Sequence, residues 1–482
     1  MRARWRRFAG LALCACCLPL ALRLLLLGRS LEPMVLVNVI AQENLNDEDE
    51  LIRTRSAVAS AAARRDAGES YAGGYMADRS PGNVSYCRWQ YGLPLSLSYL
   101  DQELIGSPES PAGAQNRVLP FVVRGEADTL PQVTLCSHAS ADQVYGIVEL
   151  ARRWEGPISL AVFAPGEDVG LAVRMLDRAC RCEPAMSKVS VQLIFPRSRP
   201  AALTSSLQSI HRSDCAAVEV QHSAGRANGT ERRRAGIAYP INVARNVARS
   251  LAPTQRVLVS DIELLPSERL ASRFCAMLKG RSPKRAIAFV LPVFEVEAGE
   301  RPPNNKRQLL AALRNGLAVY FHRFSCPHCQ RFPGLTRWIL RPDPGRVRPL
   351  IITRREYPHH RWEPIFIGTK HDPLYTEEMS WEGRQDKMSQ VNISLQFPLE
   401  YPSLINATFS RFKMFEMCLM NYRLIILDGA FLVHTPGIKQ LPQQQPQVSE
   451  RQRAYERQNA RIYQRVTRRL LKQYPANRRC KA

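Results

Sequence analysis

The chain has 482 residues, 45% hydrophobic and 23% charged, which excludes a wholly disordered chain and a multi-span membrane protein. Its 26 glycines and 34 prolines are too few for collagen or low-complexity sequence. With 67 Lys and Arg against 43 Asp and Glu it carries a charge of +24, which points to an anionic partner: nucleic acid, a membrane surface or a phosphorylated substrate.

Residues 1–7 are rich in arginine and read as a cytoplasmic tail. Residues 8–28 read as an uncleaved signal anchor. The apolar run, broken by Arg23, is about 20 residues long, enough to span a bilayer. Arg23 sits near its end and can snorkel to the interface. The preceding arginines hold that end in the cytoplasm and send the body into the lumen. No small-x-small site follows Leu27, which favours an anchor over a cleaved signal peptide. A lumenal body is expected to be oxidised and glycosylated. Ten cysteines follow the anchor, an even number that fits disulfides. Cys326 and Cys329 have the spacing of half a zinc site, with no second pair to complete it. Sequons stand at Asn83, Asn228, Asn392 and Asn406.

Residues 29–125 lack steady periodicity and read as a stem that holds the body off the membrane. They include an acidic stretch, Glu43 to Glu50, and Ala/Arg/Gly-rich sequence to about Ser80. Residues 126–482 read as the lumenal domain. Strands are predicted at Gln132–Cys136, Pro157–Phe163, Val189–Phe195, Gln255–Asp261 and Ala286–Phe294. Helices are predicted at Asp142–Trp154, Asp168–Ala179, Ile241–Leu251 and Ser267–Leu278. This alternation implies an α/β fold with a mostly parallel central sheet, whose ligands bind at the carboxyl ends of strands. The span from about 300 to 440 is less regular. Ser449–Tyr474 is a strongly basic helix; such runs are most often a solvated face, and nucleic-acid binding fits poorly with a lumenal location.

The chemistry concentrates at Val257–Pro266. An apolar strand there delivers two carboxylates, Asp261 and Glu263, which share a face wherever the strand persists. Two hard carboxylates on one side suit Mn²⁺ or Mg²⁺. Such an ion neutralises a diphosphate leaving group. An acidic triplet on a solvated turn is the bland alternative. At the end of a buried strand in a lumenal α/β protein, the triplet points to a nucleotide-sugar transferase.

From Val133 to Cys480 the chain resembles glycosyltransferase family 49. The matching pieces occur in order: Trp154–Ala161, Tyr239–Ala248, Ser260–Ser267, Val290–Glu295, Pro327–Gln330 with Trp338, Trp362–Pro364, Phe431–His434 and Arg478–Cys480. The resemblance implies a GT-A nucleotide-diphospho-sugar fold and a type II Golgi membrane protein. It also implies β-linked transfer of glucuronate from UDP-glucuronate to a xylose-terminated O-mannosyl glycan of the dystroglycan type. Asp261 and Glu263 fall on the family's metal-binding triplet. His434 falls on its late histidine, where a neutral imidazole would be the third ligand.

The chain departs from the family in three places. The third triplet position is Glu263 rather than Asp. Trp381–Lys387 is similar to the W-G-x-E-D segment of β-1,4-galactosyltransferases, where a carboxylate is the base, and this makes Asp386 the candidate base, with Glu377 and Glu295 in reserve. Residues 391–413 have no counterpart and are either a genuine loop or an unspliced intron carried into a gene model. Asn242, Arg245 and Asn246 lie together on one predicted helix and are candidate donor contacts; a capped, solvated helix is the alternative. The expected activity is a metal-dependent inverting transferase, acting on a glycoprotein glycan and able to pair with another Golgi transferase. Its rivals are a β-1,3-N-acetylglucosaminyltransferase of poly-lactosamine and a catalytically inactive Golgi scaffold or lectin.

Overall fold

A computed structural model describes residues 85–110, 115–203, 229–281, 286–356, 359, 362–380, 382, 409–438, 449–475 and 477–480. The chain divides into two units, Met1–Asp78 and Arg79–Ala482, and all described residues belong to the second. Segment 8–28, the four sequon asparagines and Asp386 lie outside the described residues. Among the described residues no helix is long and apolar enough to cross a membrane.

In chain order the elements used below are β1 (Arg88–Trp89), β2 (Asn116–Arg124), β3 (Val133–Ser140), α1 (Ile147–Arg153), β4 (Ile158–Phe163), α2 (Asp168–Cys182), β5 (Val189–Pro196) and α3 (Ile241–Ser250). They continue with β6 (Arg256–Val259), β7 (Leu264–Pro266), α4 (Leu270–Leu278), β8 (Ile287–Leu291), β9 (Val293–Val296), α5 (Lys306–Arg314), β10 (Ala318–Tyr320) and α6 (Leu335–Leu340). The last are β11 (Arg348–Thr353), β12 (Ile365–Thr369), α7 (Phe409–Leu419), β13 (Arg423–Asp428), β14 (Leu432–His434) and α8 (Glu450–Gln473).

Strands β3, β4 and β5 are buried along nearly their whole length because both faces of the sheet are covered. Successive side chains point to opposite faces. Leu135, Leu160, Val162 and Val191 pack with α1 and α2 on one side. Cys136, Ala161, Phe163 and Ile194 pack against Ile241, Ala244 and Val247 of α3 on the other. Each buried Val, Leu or Ile is worth about 1.5–3 kcal/mol, so burial on two faces overrides the modest intrinsic preferences of these short segments.

The main sheet runs β1-β2-β5-β4-β3-β6-β12-β8-β13-β11. Only β5-β4-β3-β6 and β8-β13 pair in parallel; β2, β12 and β11 join antiparallel. The sheet is therefore mixed, which corrects the expected mostly parallel sheet. The alternating pattern covers only the parallel part. β11, β12 and β13 come from the irregular stretch after residue 300, and β12 enters between β6 and β8 from far along the chain.

A second sheet, β10-β9-β14-β7, stands beside the first. The strand predicted over Ala286–Phe294 is split between the two sheets. Pro292 has no N–H to continue a ladder, so the chain leaves the main sheet after Leu291 and re-pairs from Val293. The helix predicted over Asp142–Trp154 divides into a 3-10 segment, Ala141–Gly146, and α1. A Cβ at Gly146 would come within 3.3 Å of Ile262, so glycine permits this approach.

Folded chain begins well inside the span expected to be stem. β2 is a nine-residue strand of the main sheet, and a disulfide joins Cys87 to Cys180 in α2. Cys326 and Cys329 are bonded to each other. A third disulfide, Cys418–Cys480, ties α7 to the tail behind α8. Helix α8 buries Ile462, Tyr463, Val466 and Leu470 against Phe415, Leu419 and Met379. Ser449 caps its first turn by accepting from the Gln452 N–H, 3.2 Å away.

Candidate active site

The acidic triplet sits where the chain leaves one sheet for the other. Ser260 N–H still donates to the Cys136 carbonyl of β3, 3.0 Å, extending the β6 ladder by one bond. Leu264 N–H then turns back to the Asp261 carbonyl, 3.1 Å, before β7 begins. The strand does not persist through the triplet, so Asp261 and Glu263 do not share a strand face. This corrects the expectation of two carboxylates side by side.

Asp261 faces the main sheet. Its Oδ1 is 3.2 Å from Nη2 of Arg245 on α3 and 3.4 Å from Nε2 of His138 on β3. Nδ1 of His138 meets the Tyr239 hydroxyl at 2.9 Å, which fixes the ring. Sequence reasoning missed His138 and Tyr239. A polar Ser137-His138 pair directly after the run Val133–Cys136 was the available signal. The parallel pairing of β3 with β6, Cys136 opposite Val259, is what brings His138 to the triplet.

Glu263 faces the second sheet. His434 pairs in register with Leu264 of β7, the residue after Glu263, and with Glu295 of β9. That register sets His434 Nε2 3.3 Å from Glu263 Oε2, while Nδ1 lies 3.2 Å from the Gly437 carbonyl. The imidazole is almost fully buried, and the Glu263 carboxylate is 48% exposed. The predicted association of triplet and late histidine is thus present for Glu263.

Helix α3 presents a polar stripe at helical spacing, Asn242, Arg245, Asn246 and Arg249, all buried. Asn242 Nδ2 donates to the Thr376 carbonyl, 2.8 Å. Asn246 donates to the Tyr375 carbonyl at 2.7 Å and accepts from the Tyr375 N–H at 2.9 Å. Arg249 donates to the carbonyls of Pro373 and Lys370, 2.7 and 2.8 Å. Unpaired backbone groups in the interior are costly, and this stripe satisfies those of segment 370–377. Of the three residues expected to touch donor, only Arg245 reaches the triplet. Asn242 and Asn246 are spent on the segment, except that Asn242 Oδ1 also accepts from Arg245 Nη1, 3.3 Å.

The reserve carboxylates are enclosed. Glu377 accepts from Asn246 Nδ2 at 2.9 Å and from the Ser107 hydroxyl. Burial pushes its carboxyl above the usual range despite these bonds. Glu109, which accepts from the Glu377 N–H at 2.8 Å, is pushed up by burial as well. Glu295 is fully buried within the second sheet. Glu382, in the motif that holds Asp386, accepts from the Tyr239 N–H at 2.9 Å and from Arg232 at 3.1 Å. Glu382 is therefore anchored to the residue that holds His138.

Two adjacent ligands of one octahedral divalent ion lie about 3 Å apart; Mg²⁺ is usually bound via one or two carboxylates plus substrate phosphates, whereas imidazole suits transition-metal ions. Glu263 and His434, 3.3 Å apart, have the separation of one such pair of ligands. Asp261 is turned toward His138 and Arg245. Among the described residues no three His, Cys, Asp or Glu side chains form a ready cage for an ion.

The family model described as "Glycosyl-transferase for dystroglycan" matches residues 132–475. Beta-1,4-glucuronyltransferase 1 of Homo sapiens is 27% identical over 362 residues, 72% of this chain and 77% of that protein. The protein of the same name in Danio rerio is 26% identical over 355 residues, 72% of this chain and 75% of that protein. Xylosyl- and glucuronyltransferase LARGE2 of Rattus norvegicus is 28% identical over 247 residues, 49% of this chain and 30% of that protein. A solved structure, S. aureus TarS 1-349, is 12% identical over 63% of this chain and 60% of its own, with a TM-score of 0.30, a likeness too slight to bear on the fold.

Proposed function

The chain belongs to the glycosyltransferase family described as acting on dystroglycan and is a glycosyltransferase of the glucuronyltransferase type, and from that premise we propose that it transfers glucuronate from UDP-glucuronate, in β-1,4 linkage, to a xylose-terminated O-mannosyl glycan. The observation that carries this is the pairing of His434 with Glu263 and of Arg245 with Asp261 where the chain passes from one sheet to the other, in a chain whose relatives are named glucuronyltransferases. The same reading makes it a GT-A enzyme of the Golgi membrane, anchored by segment 8–28 with its body in the lumen.

The donor sugar is α-linked, so a β product requires inversion. The acceptor oxygen forms its bond to the anomeric carbon as the bond to the β-phosphate oxygen breaks. The acceptor proton passes to a carboxylate base, and UDP leaves as the anion. Arg245, held by Asn242 and Asp261, presents a fixed positive charge on the donor side, and preorganised charge of this kind is most effective in a water-poor site. His138, locked by Tyr239, orients Asp261. When bound, Mn²⁺ or Mg²⁺ at Glu263 and His434, with Asp261 beside it, would neutralise the diphosphate as a Lewis acid. Asp386 is the proposed base, because Glu377 and Glu295 are enclosed.

The test is a panel of UDP-sugars with a short xyloside and Mn²⁺. UDP-glucuronate should be the productive donor, in competition with UDP-N-acetylglucosamine. Transfer of N-acetylglucosamine instead would overturn the donor assignment, and no transfer from any donor would favour an inactive scaffold. Asp386→Asn should cut kcat with UDP binding preserved, since the base acts on the acceptor side. A variant that loses UDP binding or keeps full kcat places the base elsewhere.

A further inference from the structure

Helix α8 carries seven arginines and one lysine against two glutamates. Five of the arginines, at 453, 457, 461, 465 and 469, follow one another at i,i+4 spacing. Neighbours at that spacing stand side by side about 6 Å apart along the axis, and like charges so placed weaken a helix. The fold needs none of these side chains for its core: α8 packs through Ile462, Tyr463, Val466 and Leu470. Local neutralisation is thin. Glu450 serves both Arg453, 3.9 Å, and Arg457, 2.9 Å, and Glu378 pairs with Arg465. Among the described residues Arg461 has no carboxylate within ion-pair distance. The side chains of Arg453, Arg457 and Arg465 are 59%, 60% and 61% exposed.

These arginines line a cavity. Arg457, Arg461 and Arg465, with Gln458, Ala454 and Ile462, border a groove of about 560 Å³ against Glu378. Glu378 follows directly on the segment that α3 holds, and near it Asn459 of α8 donates to the Ser380 carbonyl, 3.1 Å. At the start of α8, Arg451 donates to the Gly236 carbonyl. Gly236 lies just before Tyr239, whose hydroxyl holds His138 against Asp261. The start of α8 is thus tied to the segment whose Tyr239 holds His138.

We propose that the arginine ladder of α8 is the docking track for an anionic acceptor glycan, a chain whose carboxylate, sulfate or phosphodiester groups bind Arg457, Arg461 and Arg465 while its end reaches the acidic triplet. This rests on the glycan-transferase reading above. The lining suits a glycan: guanidinium groups for acids, Gln458 for hydroxyls, and Ala454 for the apolar face of a sugar ring. Among the described residues its lining has no aromatic side chain on which nucleic-acid bases would stack.

The test uses the full-length protein and a hyaluronan octasaccharide as probe. Binding should weaken with salt, and the triple variant Arg457→Gln, Arg461→Gln, Arg465→Gln should raise the dissociation constant about tenfold or more at low salt. A control triple, Arg307→Gln, Arg314→Gln, Arg337→Gln, removes the same charge from α5 and α6 and should leave binding within about twofold. Thermal unfolding should show the α8 variant at least as stable as the parent, because repulsion is relieved. In transfer assays the variant should raise KM for a xyloside carried on an anionic chain and leave kcat, donor KM and the neutral xyloside unchanged. Equal loss in both triples, or preference for a neutral dextran, a single-stranded oligonucleotide or phosphatidylserine vesicles over hyaluronan, would overturn the track. Ladder-dependent hyaluronan binding by a protein that transfers no glucuronate would retain the track and overturn the donor assignment instead.

Discussion

Single residues at the triplet have distinct surroundings, and their substitutions should separate. Asp261→Ala removes the carboxylate that Arg245 and His138 both approach. We expect Mn²⁺-dependent turnover to fall by about 10²-fold or more in a protein that still folds. Near-normal turnover in the folded variant would reduce the triplet to a polar turn. His434→Ala should act in the same direction, read as a higher Mn²⁺ requirement. Glu377 gives a prediction in pH. Its carboxyl is raised by burial, so the native state favours the neutral form. The stability this contributes is fully present below the ordinary carboxylate range and is lost as pH rises through the raised value. Glu377→Gln keeps an amide against Ser107 and Asn246 without that loss. Melting temperatures taken from pH 4 to pH 8 should show the variant gaining on the parent as pH rises. A constant offset would show that the carboxyl is not titrating differently on folding.

At the scale of elements, α3 is the joint between sheet and site. One face packs Ile241, Ala244 and Val247 on the sheet, and the other clamps segment 370–377 through hydrogen bonds from the buried Asn242, Asn246 and Arg249. Asn246→Ala would strand both the Tyr375 N–H and its carbonyl and release Glu377. Orphaned buried groups cost about 1–3 kcal/mol each, so unfolding should shift down by roughly 5–10 °C. Transfer should fall further than stability alone dictates, since the clamp also sets Arg245. If donor affinity drops while the melting temperature holds, Asn246 touches donor directly. Arg249 is a second such clamp. Its guanidinium serves backbone carbonyls of segment 370–373 that otherwise face the interior.

The whole chain yields a topological prediction. If residues 8–28 anchor the protein with its body in the lumen, protease added to intact microsomes should spare nearly the entire chain, and detergent should expose it. Digestion from outside in intact vesicles would reverse the orientation. The three described disulfides would then be out of keeping with their compartment.

The parallel strands and the helices over Val133–Ser250 were legible in the sequence because two-sided burial writes itself as continuous apolar runs, and amphipathic helices as a 3.6-residue period. Asp261, Glu263 and His434 were legible because their types and motifs carry chemistry. Strand pairing was not legible. β12 and β14 come from chain more than a hundred residues beyond β6, and no local pattern states which neighbour a strand will choose. That pairing made the sheet mixed, turned Asp261 and Glu263 to different sheets, and brought His138 to the triplet through β3. It also converted Asn242 and Asn246 from presumed ligand contacts into clamps. Residue chemistry is a local property that sequence alone determines; which side chains meet depends on register between distant strands, and only the tertiary structure decides that.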